Sequence, residues 1–222
     1  ISFIEFYDAL EMQRYPDPHF SRSLQQSVVS TMKSWKPNPR QNILLDRIRG
    51  LGAPIITPNF DSLISDSLAL EFFKLTSDGF TDYYPWSCYF SDRELSDPFD
   101  GFAVWHMNGM LKYYRSIKLS LTQYMGNVDR ARKLIHEGSD HFKFEGKNRH
   151  EWLGYKTWLH IIFNNDLFIL GFGLDETEIF FRWLLIERAK YFKRFPERAH
   201  KGWCVTHSSD PSVNDKGKQL FL

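Results

Sequence analysis

A short apolar segment that ends in a proline and two Asx-type side chains constrains this chain most. The segment Ala53-Pro-Ile-Ile-Thr-Pro-Asn-Phe-Asp61 predicts a buried strand over residues 54–57. Pro58 cannot donate to a strand ladder and disfavours helical angles at Thr57, so the strand should end there. From Asp61 onward, apolar residues recur every four positions and predict a helix. The pattern therefore places Asn59 and Asp61 between the carboxyl end of a strand and the start of a helix.

The amide and the carboxylate of this turn allow two interpretations. Ligands bind at the carboxyl ends of strands in open α/β sheets, so Asn59 and Asp61 are candidates for ligand binding. Alternatively, Asp61 caps the helix and Asn59 forms a turn, which is a common use of such residues. Taken alone, the two residues favour the second interpretation.

Composition limits the classes of protein to which the chain can belong. Its 222 residues suffice for one α/β domain, and a hydrophobic content of 42% allows a packed core. The net charge of +1 gives no electrostatic reason to expect binding to nucleic acid or to an anionic membrane. Two cysteines, Cys88 and Cys204, are too few for a four-thiolate zinc site, so we expect no metal.

The same features predict a location and the nature of the chain ends. Cys204 lies in an apolar run, as is typical of a reduced core thiol in a cytoplasmic protein. No apolar run has the length of a membrane span, and the first residues do not form a signal peptide. Because the chain opens at Ile1 without a methionine, we expect a fragment or a processed form.

Hydrophobic periodicity predicts an alternation of helices and strands. Residues 74–101, rich in glycine, proline and aromatic side chains, predict irregular connections with a few short strands. Predicted helices cover 1–13, 21–35, 42–51, 122–137, 151–163 and 175–193. Further predicted strands cover 102–107, 116–121, 166–170 and 203–206.

These elements predict the fold class. The apolar run 167–170 implies a strand buried on both faces, as in a parallel sheet. Helices that alternate with apolar strands are typical of a doubly wound, mostly parallel sheet flanked by helices. We therefore predict a single α/β domain over 1–222, with helical or irregular insertions at roughly 74–101 and 122–163.

Three strand ends are candidates for chemistry, because the carboxyl ends of parallel strands open on one edge. They are Asn59–Asp61, His106–Gly109 and Gly171–Asp175. Together they offer an amide, carboxylates, an imidazole and close backbone approach, which suit cleavage of a sugar–base bond. The chain lacks a Walker-type loop and a G-x-S-x-G elbow, so phosphoryl transfer and serine hydrolysis are not expected.

The same segments resemble, in order, the motifs of sirtuin-like NAD-consuming domains of bacterial anti-phage defence proteins. Thr57-Pro-Asn-Phe-Asp61 resembles the Thr-Thr-Asn-Tyr-Asp motif of that family. Trp105-His-Met-Asn-Gly109, followed by Ser116-Ile-Lys-Leu119 and Tyr124, resembles its His-Gly motif and downstream strand and tyrosine. Leu170-Gly-Phe-Gly-Leu-Asp175 resembles its Gly-x-Ser-x-x-Asp turn, so the ordered set covers most of the chain.

The resemblance implies a Rossmann-like fold without a zinc lobe, with NAD as the substrate bound at the carboxyl edge. In that family pattern, Asn59 orients the nicotinamide ribose or the attacking water, Asp61 contacts the carboxamide, and a histidine acts as base. The implied catalytic residues are Asn59, His106 and Asn108. The implied NAD-binding residues are Thr57, Asp61, Gly109, Gly171, Phe172, Gly173 and Asp175.

Three departures from the family pattern keep alternative functions open. No Gly-rich phosphate loop precedes the first helix, and Gly173 stands in the serine position. Asn108 occupies the slot of the family histidine, with His106 two residues earlier. One hypothesis is an NAD+ glycohydrolase effector of abortive infection. The alternatives are an NAD or ADP-ribose sensor with little turnover, and an α/β interaction module without a nucleotide.

The resemblance also implies partners. Besides NAD+, we expect a homo-oligomer or a sensor or activator protein. We expect no direct contact with nucleic acid and no membrane attachment, because the net charge of +1 and the lack of a long apolar run favour neither.

Overall fold

The structure, a computed structural model, describes residues 2–17, 19–136, 147, 150–172, 174 and 178–205. Within these residues the chain forms seven α-helices, a four-stranded sheet and a two-stranded sheet. The predicted mixture of helices and strands is confirmed.

Three helices lead to the first sheet: α1 (Phe3–Arg14), α2 (Phe20–Met32) and α3 (Pro39–Arg49). The Ser2 hydroxyl and the Glu5 carboxylate form a capping box at the start of α1. Asn38 accepts the amide of Arg40 and Pro39 stands in the first turn, so α3 begins three residues before the predicted start at residue 42.

The first sheet has the order β1, β4, β3, β2. Its strands are β1 (Ile55–Thr57), β2 (Glu71–Lys74), β3 (Cys88–Ser91) and β4 (Val104–His106). β1 and β4 run parallel with Thr57 opposite His106, whereas the other two pairs are antiparallel. The sheet is therefore mixed, and the predicted doubly wound parallel arrangement is not confirmed.

The predicted helix after Asp61 is wrong beyond its first turns. The helix α4 spans only Leu63–Ser67, and Ala69 adopts a left-handed φ of 51° that ends helical geometry. Phe72, one of the apolar residues with the four-residue spacing that predicted this helix, pairs with Phe90 across β2 and β3. The apolar residues spaced four apart therefore belong to two separate elements, the short helix α4 and the strand β2.

Two further predictions fail in a similar way. Residues 116–121 were expected to form a strand, but Tyr114–Ser116 is a 3₁₀ turn and no ladder pairs residues 117–120. The predicted helix 151–163 begins only at Trp158, as α6 (Trp158–Asn164), because the hydroxyl of Thr157 caps it.

The second sheet pairs β5 (Leu167–Leu170) in parallel with β6 (Gly202–Val205). Its flanking helices are α5 (Leu121–His136) and α7 (Ile179–Arg194). The predicted burial of β5 on both faces is wrong: Leu167 and Ile169 are buried, but Phe168 and Leu170 are 67% and 51% exposed. An uninterrupted apolar run thus belongs to a strand covered on one face.

The largest core cluster lies between α5, α6, α7 and the two sheets. It contains Trp105 of β4, Trp158 of α6 and Leu184 of α7, and it also takes Trp86 and Tyr89 from the aromatic segment 74–101. Aromatic residues of the irregular segment 74–101 thus contribute to the core, whereas Tyr83 and Phe99 of the same segment are exposed. No described helix is both long enough and apolar enough to cross a membrane.

Candidate functional site

Two of the predicted strand ends meet where β1 and β4 stop. The Nδ1 atom of His106 lies 2.7 Å from the carbonyl oxygen of Asn59. The amide of Leu111 donates to the carbonyl of Phe60 at 3.1 Å. These bonds join the turn after β1 to the turn after β4, as expected for neighbouring parallel strands.

His106 is held in one tautomer at this junction. A carbonyl can only accept, so Nδ1 carries the proton and Nε2 keeps a lone pair. The side chain is 2% exposed, and Nε2 has no hydrogen-bond partner among the described residues. Burial lowers the pKa of His106, although the bond to Asn59 and the charge of Asp61 oppose this. The imidazole is therefore a neutral, buried acceptor.

A cavity of about 280 Å³ opens beside this imidazole. We call it the His106 cavity. Its lining includes three aromatic rings, two ammonium groups, one carboxylate and the imidazole: Phe60, Phe72, Phe90, Lys33, Lys112, Asp61 and His106. It thus combines apolar walls with charged groups, as ligand sites do.

Asp61 lies both at the start of α4 and at the His106 cavity. Its Oδ1 atom accepts the amide of Leu63 at 3.0 Å, which supports the start of α4. The same residue lines the His106 cavity. By contrast, the side chain of Asn59 is exposed and lies outside that lining. The backbone N–H of Asn59 donates to the hydroxyl of buried Thr57 at 3.2 Å.

Asn108 and Gly109 follow β4 where the chain bends. Asn108 is 4% exposed, and its Oδ1 has no hydrogen-bond partner in the described part of the chain. Gly109 adopts a φ of 113°, and a Cβ there would overlap the carbonyl of Ser116. Only glycine fits this position. Neither residue lines the His106 cavity.

The third predicted strand end does not join the other two in the described residues. Gly171 is exposed with a φ of 67°, and Phe172 packs edge-to-face on Phe181 at 5.3 Å between centroids. No described hydrogen bond or ring contact links these residues to His106 or Asn59. Gly173 and Asp175 lie outside the described residues.

Sequence analysis missed several residues of the cavity. Lys33 ends α2, Lys112 follows the turn after β4, and Phe90 lies in β3, so their spacing along the chain does not connect them. The consecutive apolar residues 88–90 predict a buried segment but do not connect Phe90 with the cavity. Among the described residues, no group of three His, Cys, Asp or Glu side chains could hold a metal ion.

Comparison of the chain with protein-family models, with curated proteins and with solved structures finds no match. The motif resemblance and the geometry of the site are therefore the two bases for a proposal of function.

Proposed function

We propose that this chain is an NAD+ glycohydrolase, which cleaves the bond between nicotinamide and ribose. The observation that carries the proposal is the buried His106, a neutral imidazole with an unpartnered Nε2 at a cavity beside two parallel strand ends. The motifs that resemble sirtuin-like NAD-consuming domains supply the substrate, and they support a Rossmann-like fold as the finer description of this mixed α/β chain.

The proposed reaction needs only modest activation of water. As the glycosidic bond breaks, the ribose carbon gains cationic character, nicotinamide leaves with the bonding electrons, and water adds to the ribose. His106 Nε2 accepts the proton that this water loses and later passes it to solvent, leaving ADP-ribose. A lowered pKa keeps the imidazole unprotonated and ready to accept near neutral pH.

The neighbouring residues have proposed roles that follow the motif resemblance. The exposed amide of Asn59 orients the ribose or the water, and its backbone carbonyl positions His106. Asp61, which lines the cavity, contacts the nicotinamide carboxamide. The motif resemblance also assigns Gly109, Gly171 and Phe172 to NAD binding, although none of them lines the His106 cavity.

Replacement of Asn59 by alanine tests this assignment. The side chain is exposed and forms no hydrogen bond with another described residue, so the variant should keep its thermal stability. We expect nicotinamide release to fall by about 100-fold or more, because an unoriented reactant loses the advantage of proximity. Unchanged turnover in a folded variant would refute the role of Asn59.

A second function is favoured by Asn108. An amide in this slot cannot act as a base, and its buried Oδ1 lacks a partner among the described residues. The alternative is an NAD or ADP-ribose sensor with little turnover. It predicts ligand binding without product over a long incubation, and turnover that appears in the variant Asn108→His.

The proposed setting rests on the motif resemblance. We propose a cytoplasmic effector of anti-phage abortive infection that a sensor protein or assembly into a homo-oligomer activates. Two cysteines without a disulfide, Cys88 and Cys204, agree with a reducing compartment. Depletion of NAD+ in cells that express the chain, absent with Asn59→Ala, would support this setting.

A further inference from the structure

The His106 cavity carries a charge pattern that hydrolysis of a glycosidic bond does not require. Lys33 and Lys112 are exposed at its lining, and neither forms an ion pair with a described residue. The ammonium of Lys112 lies 4.4 Å from the centroid of the Phe72 ring, which keeps it at the cavity. Asp61 is the one acidic residue in the lining, and one of its carboxylate oxygens already accepts the amide of Leu63. An anion therefore finds two cations here that form no ion pair with a described residue.

The remaining lining favours a planar ring. Phe72 packs edge-to-face on Phe90 at 5.6 Å, and Phe90 packs in the same way on His106 at 5.7 Å. Phe60 contributes a third ring to the cavity. Aromatic walls of this kind accept a flat heterocycle by stacking, which tolerates any base.

Hydrogen-bonding groups and size restrict the ligand further. The ring of His106 and the carboxylate of Asp61 line the cavity, and the carboxylate accepts hydrogen bonds, so it suits ribose hydroxyls or an exocyclic amine. The cavity of about 280 Å³ lies at the lower end of ligand pockets, which run from about 300 to 1,000 Å³. It can enclose one nucleoside but not both halves of a dinucleotide.

We propose that the His106 cavity binds a single mononucleotide unit, with its base against the phenylalanines and its phosphate at Lys33 and Lys112. The inference names the ligand class of the site in the proposed function, and it rests on that function only in that both place a ligand beside His106. In this proposal, two lysine side chains bind the phosphate in place of a Gly-rich phosphate loop, which the sequence lacks.

Calorimetric titration with AMP, adenosine and ribose 5-phosphate tests the proposal. We expect AMP to bind at least about tenfold more tightly than either adenosine or ribose 5-phosphate, because each lacks one of the two recognised groups. In the double variant Lys33→Met, Lys112→Met, the preference for AMP over adenosine should vanish. Lys36→Met, which removes an exposed lysine three residues away and outside the cavity, should keep that preference.

Three results would overturn the inference: equal binding of AMP and adenosine, equal binding of AMP and ribose 5-phosphate, or a preference for AMP that survives the double variant. Both lysines are exposed, so their replacement should leave the thermal unfolding midpoint nearly unchanged. Nicotinamide release measured in parallel separates the two proposals. Phosphate-dependent binding of AMP without cleavage of NAD+ refutes only the enzyme, and cleavage without such binding refutes only the mononucleotide site.

Discussion

At the scale of single residues, the described part of the chain contains two buried histidines with opposite surroundings. His106 leaves Nε2 without a partner, whereas His160 uses Nδ1 to accept the indole N–H of Trp152 at 2.9 Å. An unsatisfied buried polar atom costs about 1–3 kcal/mol, which folding alone gives no reason to retain. The indole nitrogens of Trp105 and Trp158 also lack a partner among the described residues, so it is the position of His106 at the cavity that makes it the candidate for binding or catalysis.

His160 should make the stability of the protein depend on pH. Burial, and next the charge of His150, lower the pKa of His160 to about 4, below the value of 6.5 in the unfolded chain. The unfolded state therefore takes up the proton first, and the free energy of unfolding falls as the pH drops from 6.5 towards 4. The slope for one such group is at most about 1.4 kcal/mol per pH unit.

The variant His160→Asn checks this prediction, because the asparagine oxygen can still accept from Trp152 but does not titrate. Urea unfolding at pH 7 and pH 5 should show a smaller loss of stability in the variant than in the parent chain. Other acid-sensitive groups, His106 included, act in both proteins and cancel in the difference. Equal losses would show that His160 is protonated as readily in the folded state as in the unfolded state.

At the scale of elements, short-range sequence patterns predicted the presence of many helices and strands, but they often misplaced the ends of those elements. The strands β1 and β4 lie within the predicted ranges 54–57 and 102–107, and the structure confirms both strands. Sequence could not reveal that Ala69 turns left-handed, or that Phe72 belongs to a second strand. Lys33 reaches the cavity only through tertiary packing, so no local pattern could have assigned it to the site.

The strand β5 offers a direct test of its one-sided burial. Phe168 is 67% exposed and faces Trp203 across the parallel pair, while Ile169 is 8% exposed in the main core. Phe168→Thr should cost at most about 1 kcal/mol, the size of a cross-strand contact. Ile169→Thr should cost about 2–4 kcal/mol, because it places a hydroxyl in the core and removes buried carbon.

Urea unfolding of the two variants measures this difference. Threonine suits a strand at either position, so β propensity cancels between neighbours in the same element. Similar losses at both positions would contradict the alternation and return β5 to burial on both faces.

At the scale of the whole molecule, the helices α1 and α2 contact residues 111–122, which follow the strand that carries His106. The side chain of Gln25 in α2 donates to the carbonyl of Ile117 at 2.8 Å. Leu111, Ile117 and Leu119 pack on Val29 of α2, with Phe60 against the same cluster. The loops that hold His106 thus depend on helices distant in sequence, and α2 also brings Lys33 to the cavity.

Asp8 makes the corresponding link from α1 and provides the test of this arrangement. Its carboxylate accepts the amide of Leu121 at 2.7 Å and the hydroxyl of Thr122 at 3.1 Å, so a residue 113 positions away caps the amino end of α5. Loss of a helix cap costs about 0.5–2 kcal/mol, and a negative charge there also favours the helix dipole. We expect the free energy of unfolding to fall by about 1–2 kcal/mol in Asp8→Ala and by less in Asp8→Asn, which keeps one acceptor.

Hydrogen exchange at the Leu121 amide should also become faster in Asp8→Ala. If the stability fell while that amide kept its protection from exchange, Asp8 would act within α1 alone. The contact between α1 and α5 would then depend on side-chain packing and not on the bonds of Asp8.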